Sequence, residues 1–170
     1  MDDPYVALAR ASYTAFVNDG TRIKAPNMLP PYLRNERGAC FVSLHKDGEL
    51  RGCIGTLEPT RRSIADEVIQ NAISACSRDP RFPPVRPDEL PRITCSVDVL
   101  GEPEPIEGID QLDPKKYGVI VSSGWRRGVL LPDLEGVGDA QTQVAIAKRK
   151  AGIAPGDHCG LQRFTVVRHV

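Results

Sequence analysis

The sequence predicts an α+β fold, a mainly antiparallel sheet flanked by helices, and three observations carry that reading. Strand-like runs come in hairpin pairs, the run "RITCSVDVL" alternates cleanly, and helical periodicity recurs at intervals rather than after every strand. At 170 residues the chain has the length of one ordinary domain. Residues 1–170 therefore read as a single domain with room for two lobes. No internal repeat and no low-complexity segment is evident along it.

Taken in order, Asp3-Pro4 has the form of an N-cap with proline at the first helical position. Tyr5, Leu8, Ala9, Ser12, Ala15 and Phe16 then recur at helical spacing as far as Gly20. Residues 21–37 hold three prolines and no sustained period, so they read as an irregular arm. "ACFVSLHK" and "ELRGCIGTLE" form a hairpin through Asp47-Gly48. A two-residue turn sets Lys46 opposite Glu49, Leu44 opposite Arg51 and Val42 opposite Cys53, with Arg51, Cys53, Val42 and Leu44 on one face.

Ser63 stands three residues before Asp66 and opens a helix whose apolar face holds Ile64, Val68, Ala72, Ala75 and Cys76, and which stops at Asp79-Pro80. In the next strand Ile93, Cys95, Val97 and Val99 share one side, which puts Cys95 toward the core. "KYGVIVSSGWRRGVLLP" reads as two strands around Ser122-Ser123-Gly124. "DAQTQVAIAKRKAG" reads as a helix capped by Asp139 and stopped at Gly152, and "LQRFTVVRH" as one last strand.

Lys plus Arg equals Asp plus Glu, 22 of each, so no overall basic field favours a nucleic-acid backbone, and nucleic acid is an unlikely partner. The five cysteines include no C-x-x-C pair and no His, Cys and carboxylate set at ligand spacing. Neither a metal nor a cofactor is expected. The opening "MDDPYVALARASY" lacks a basic n-region and an apolar h-region, and no apolar run reaches bilayer length. The expectation is a soluble cytoplasmic protein without a membrane partner.

The chemistry concentrates in "LRGCIGT". Glycine weakens a strand, so Gly52 and Gly55 on either side of Cys53 call for a reason. They make room either for a substrate or for another piece of the chain. Cys53 reads as a nucleophile or covalent anchor, with Arg51 projecting to the same face to stabilise its thiolate, or else as a small packed filler. A base is harder to find. His45 falls on the opposite face in the hairpin register, and His158 and His169 lie near the C-terminus.

Beyond the motif, Thr56, Thr60, Arg61 and Ser63 lead into a helix N-terminus that can receive a phosphate or carboxylate, or simply be capped. Asp79 and Arg81 in "SRDPRFPPV" stand either at the rim of the Cys53 site or as ties for the loop, with Phe82 plugging the core. Trp125 with Arg126 and Arg127 has the makings of a stacking platform. The basic groups Arg61-Arg62, Lys115-Lys116, Arg126-Arg127 and 148–150 are separated in sequence, and their convergence is left open.

"LRGCIGT", "NAISACSRDPRFPPVRPDELP", "ITCSVDVL" and "GVLLPDLEGV", followed by "QVAIAKRKAGI", occur in an order and spacing that resemble the AMMECR family. The resemblance implies an α+β fold with a larger lobe, holding the main sheet, and a smaller lobe packed beside it. It also implies kinship with the A protein of AmmeMemoRadiSam systems, whose associates are a radical SAM protein and a Memo-like protein. The family has no established biochemical activity, so the resemblance names no reaction. Two function classes follow. One is a cysteine-dependent enzyme component using Cys53 and Arg51, with Gly52, Gly55, Thr56, Arg61, Asp79 and Arg81 around the ligand. The other is a non-catalytic module that binds a peptide, a small molecule or a protein at the same motif.

Overall fold

Local signals and caps account for most of the elements in the computed structural model, which describes residues 2–170. Helix α1 (Pro4–Asp19) starts on the Asp3 carboxylate, which accepts from the N–H groups of Tyr5 and Val6, and ends at Gly20 with φ of 73°. Strands β1 (Cys40–Lys46) and β2 (Glu49–Gly55) join through Asp47 and Gly48, both at positive φ as a two-residue hairpin turn requires. Helix α3 (Ile64–Ser77) is capped by Ser63, and β3 (Ile93–Leu100) follows a short 3-10 helix at Pro87–Arg92. Within the arm expected to be irregular, α2 (Pro31–Asn35) forms one short helix. Pro31 presets its first turn, and fully buried Leu33 docks it onto the core.

The remaining elements are β4 (Glu104–Ile106), a second 3-10 helix at Ile109–Gln111, β5 (Gly118–Ser123), β6 (Arg126–Leu130), α4 (Ala140–Ala151), β7 (Gly160–Phe164) and β8 (Val166–His169). Ser122 and Ser123 belong to β5, so the turn is Gly124-Trp125, with Gly124 at φ of 59°. The last strand is not one but two. It breaks at Thr165, and its halves join different sheets, because an alternating run carries no mark of where a chain changes sheet.

Contacts divide the chain into two compact units, Met1–Leu100 with Val167–Val170, and Gly101–Val166. In the first, the sheet order is β2-β1-β3-β8. Its core joins Val6, Leu8, Ala9 and Tyr13 of α1 and the inner face of α3 to Val42, Leu44, Cys95 and Val97, so Cys95 faces inward as its alternation predicts. Each aliphatic side chain removed from water there contributes roughly 1.5–3 kcal/mol. The Ser12 hydroxyl donates to Ile69 O at 2.8 Å and Asn71 Nδ2 to Cys40 O at 2.9 Å, which tie α3 to α1 and to β1. In the second unit the order is β4-β7-β5-β6, and α4 packs on it around Val119, Val121, Val144 and Ala147.

Both units repeat one connectivity that the side-chain pattern does not reveal. A hairpin (β1-β2; β5-β6) leads into a helix (α3; α4) and then into a strand (β3; β7) that pairs antiparallel with the first strand of the hairpin. Each then sends its next strand to the other sheet. β4 follows β3 but pairs with β7, and β8 follows β7 but stands beside β3.

The hairpin register departs from expectation. Lys46 does face Glu49, but a bulge leaves Arg51 without an opposite residue, so Leu44 faces Gly52, Ser43 faces Cys53 and Val42 faces Ile54. One extra residue moves everything beyond it to the other face. Cys53 therefore lies not with inward-pointing Val42 and Leu44 but on the face of Phe41, Ser43 and His45.

Candidate functional site

Cys53 occupies an edge strand, and the loop after α3 covers that edge at this residue. The Cys53 N–H donates to Asp79 Oδ2 at 2.9 Å, and Arg81 Nη2 donates to Cys53 O at 3.4 Å. Arg81 also grips Asp79 through Nε (3.0 Å) and Nη2 (2.8 Å), while its own N–H donates to Asp79 Oδ1 at 3.0 Å. The two groups that the outer edge would offer to another strand are thus taken within the chain. Asp79 is buried and the Arg81 side chain is 56 % exposed, so the carboxylate is the tie and the guanidinium the rim. The hydrogen bonds from Arg81 hold the Asp79 carboxyl well below the ordinary carboxylate range, against the opposing effect of burial.

Half-buried Cys53 has its sulfur 3.2 Å from the Ser43 hydroxyl, which donates to it. Burial raises the thiol pKa, while the Ser43 hydrogen bond and the Arg81 charge act in the other direction without overcoming it. The resting group is a neutral thiol. His45 shares the face of Ser43, contrary to the expected register, and stands two residues along β1, about 7 Å at roughly 3.3 Å per residue. Ser43, not an imidazole, holds the sulfur. His169 is engaged elsewhere, its Nδ1 lying 2.7 Å from Asp3 Oδ2, and His158 belongs to the second unit.

Arg51 does not stabilise a thiolate. Its guanidinium forms a two-pronged pair with Glu89, Nε to Oε1 and Nη2 to Oε2, both at 3.1 Å. Lys46 Nζ adds a contact to Oε1 at 2.9 Å, and the Arg86 N–H donates to Oε2 at 2.8 Å. The Arg51 hydrogen bonds, ahead of the burial that opposes them, lower the Glu89 pKa to about 2. Phe82 is not the core plug that its loop suggests. The guanidinium carbons of Arg81 and Arg51 lie 5.4 and 6.0 Å from its ring centroid, and Val85 is the residue of this loop that enters the core.

Gly52 and Gly55 make room for the chain itself. A Cβ on Gly52 would collide with the Ala75 carbonyl of α3, and one on Gly55 with the Phe41 ring. The helix N-terminus is occupied in the same way. Fully buried Glu67 accepts from Thr56 Oγ1 (3.0 Å), from Thr60 through N (2.6 Å) and Oγ1 (2.7 Å), and from the Arg61 N–H (3.0 Å). The anion that the loop cradles is internal, and Thr56 and Arg61 serve that closure. The geometry gathers Cys53, Ser43, Asp79 and Arg81 into one place and leaves Arg51, Gly52, Gly55, Thr56 and Arg61 in supporting positions.

Residues missed by sequence reasoning are Ser43, Glu67 and Glu89. Ser43 follows from the correct register. Glu67 has a signal in its position in the first turn of α3, after a loop rich in hydroxyls, and Glu89 in its place three residues after Arg86. Among the described residues no group of three or more His, Cys, Asp and Glu side chains is arranged to hold a metal ion. No helix among them is long and apolar enough to cross a membrane.

Comparison with known proteins places these residues in a family context. Residues 6–169 match the family model described as AMMECR1. A protein from Thermotoga maritima is 51 % identical over 170 residues, covering 99 % of this chain and 98 % of its own length. A protein from Clostridium acetobutylicum is 48 % identical over 168 residues, covering 98 % of this chain but 36 % of that longer protein. The crystal structure of an uncharacterised protein from Pyrococcus horikoshii superposes with a TM-score of 0.90 at 32 % identity, over 96 % of this chain and 88 % of that one.

Proposed function

The chain belongs to the AMMECR1 family, and from that premise we propose that it is a recognition component of a modification pathway. The Cys53 face of the first unit is its contact site. The proposed pathway partners are a radical SAM protein and a Memo-like protein, and the ligand is a small molecule or peptide that meets the Cys53 thiol, the Ser43 hydroxyl and the Arg81 guanidinium together. A single observation carries the reading. The sulfur is held neutral by burial and bonded to a hydroxyl, on a backbone locked by Asp79 and Arg81. That is a rigid polar ledge suited to binding, since a nucleophilic thiol needs a base in reach or a lowered pKa. All five cysteines are free, which suits a reducing cytoplasm.

The test is the alkylation rate of each cysteine against pH on the folded protein, mapped by mass spectrometry. Under the proposal Cys53 reacts slowly at neutral pH and accelerates only above the ordinary thiol value of about 8.5. Fast, selective modification of Cys53 at neutral pH would replace recognition with nucleophilic catalysis.

A further inference from the structure

A cavity of about 420 Å³ lies between the end of the loop before α3 and the first two turns of that helix, lined by Thr60, Arg61, Arg62, Asp66, Ile69 and Gln70. Sites for small ligands run from about 300 to 1,000 Å³. The backbone of this wall is fixed on both sides. Arg37 donates from Nε to Arg61 O at 3.1 Å and from Nη2 to Pro59 O at 3.0 Å, while the N–H groups of Thr60 and Arg61 are spent on Glu67. The side chains are not spent. Neither the Arg61 nor the Arg62 guanidinium forms a hydrogen bond or ion pair among the described residues, and neither does the Asp66 carboxylate. Opposite charges that line one cavity without touching leave room between them for a ligand that bonds to both. Gln70 accepts from Arg22 Nη1 at 3.3 Å, which sets a third guanidinium one side chain away. Positive charge exceeds negative by one among the lining residues and by two with Arg22.

We propose that this cavity binds a small hydroxylated phosphate monoester, with Arg61 and Arg62 on the phosphate and Asp66 accepting from a ligand hydroxyl. A guanidinium presents paired N–H donors that match phosphate oxygens, and a monoester at neutral pH carries a charge of about −1.5 to −2 for the cations to balance. Asp66 disfavours an anion that brings no hydroxyl to donate, since its carboxylate then only repels. A nucleic-acid backbone is disfavoured as well, because the chain carries no net positive charge to hold one. The cavity shares no residue with the Cys53 ledge, so the two readings stand or fall separately.

The experiment is calorimetric titration of the full chain at low salt with glycerol 3-phosphate and with ribose 5-phosphate. Ribose, sulfate and an oligodeoxythymidylate are titrated in parallel. The expected result is saturable binding of at least one monoester at millimolar concentration, weakened by salt and about tenfold or more tighter than ribose or sulfate. Arg61→Ala and Arg62→Ala should each weaken it about tenfold with an unchanged urea midpoint, since neither side chain has a partner to lose. Asp66→Asn should reduce the preference for the monoester over sulfate, and Arg149→Ala, outside the cavity, should leave the affinity unchanged. The proposal is overturned if neither monoester binds saturably, or if ribose, sulfate or the oligonucleotide binds as tightly. It is equally overturned if any of the three cavity variants binds like the unaltered chain, or if Arg149→Ala weakens binding as much as they do.

Discussion

Gly52 and Gly128 occupy the same place in two units of the same connectivity. Each is on the second strand of a hairpin and follows an arginine, and at each a Cβ would strike a helical alanine carbonyl, Ala75 in one unit and Ala147 in the other. The residues that follow differ. Cys53 faces Ser43, with Asp79 and Arg81 closing the strand edge, whereas Val129 faces buried Ile120. The pairing of hairpin and helix thus requires the glycine but not the cysteine. Within "LRGCIG" the glycines belong to the architecture, and what the first unit adds to it is the thiol, its hydroxyl partner and the Asp79–Arg81 clasp.

Breaking the shared feature should have the largest effect. Gly52→Ala and Gly128→Ala each push a methyl group into helix backbone, and each is expected to destabilise by about 3 kcal/mol in chemical denaturation. If only one of the pair did so, the equivalence of the two contacts would fail.

Removing what the first unit adds comes next. Asp79→Asn and Glu89→Gln should each cost about 1–3 kcal/mol near neutral pH. Both carboxyls titrate lower in the folded chain than in the unfolded one, so their stabilisation is complete above the unfolded values and is lost as pH falls. For Glu89 that window runs from 4.5 down to about 2. Urea midpoints measured against pH should show a shallower acid limb in each variant, and an unchanged limb would mean that the clasps do not contribute.

The smallest effect sharpens the comparison instead. Cys53→Val places the residue of the second unit at the corresponding position of the first and should shift stability by less than about 1 kcal/mol. Thermal unfolding checks this, and a large loss would make Cys53 part of the scaffold.

Much of this was legible in the sequence because it is local. The caps at Asp3, Ser63 and Asp139, the stops at Gly20 and Gly152 and the Asp47-Gly48 turn each declare themselves within a few residues. The bulge at Arg51 was not legible, since one inserted residue beside a glycine leaves the apolar pattern readable in either register. The Asp79 contact to the Cys53 N–H spans 26 positions and depends on where the loop after α3 lands. The repeated connectivity escaped for a related reason, because strand order is a property of pairing and the two units share little beyond an Arg-Gly step and a helical alanine.

The exchange of edge strands also sets the order in which the first sheet can be completed during synthesis. β3 is made before any residue of Gly101–Val166, yet the strand that stands beside it, β8, begins only at the last of them. At about 5–20 residues per second that interval lasts roughly three to thirteen seconds. For that time a nascent first sheet presents an open edge, the feature of β proteins most prone to mispairing. The first sheet is thus closed on that side by a strand that reaches it only after the whole second unit has been made.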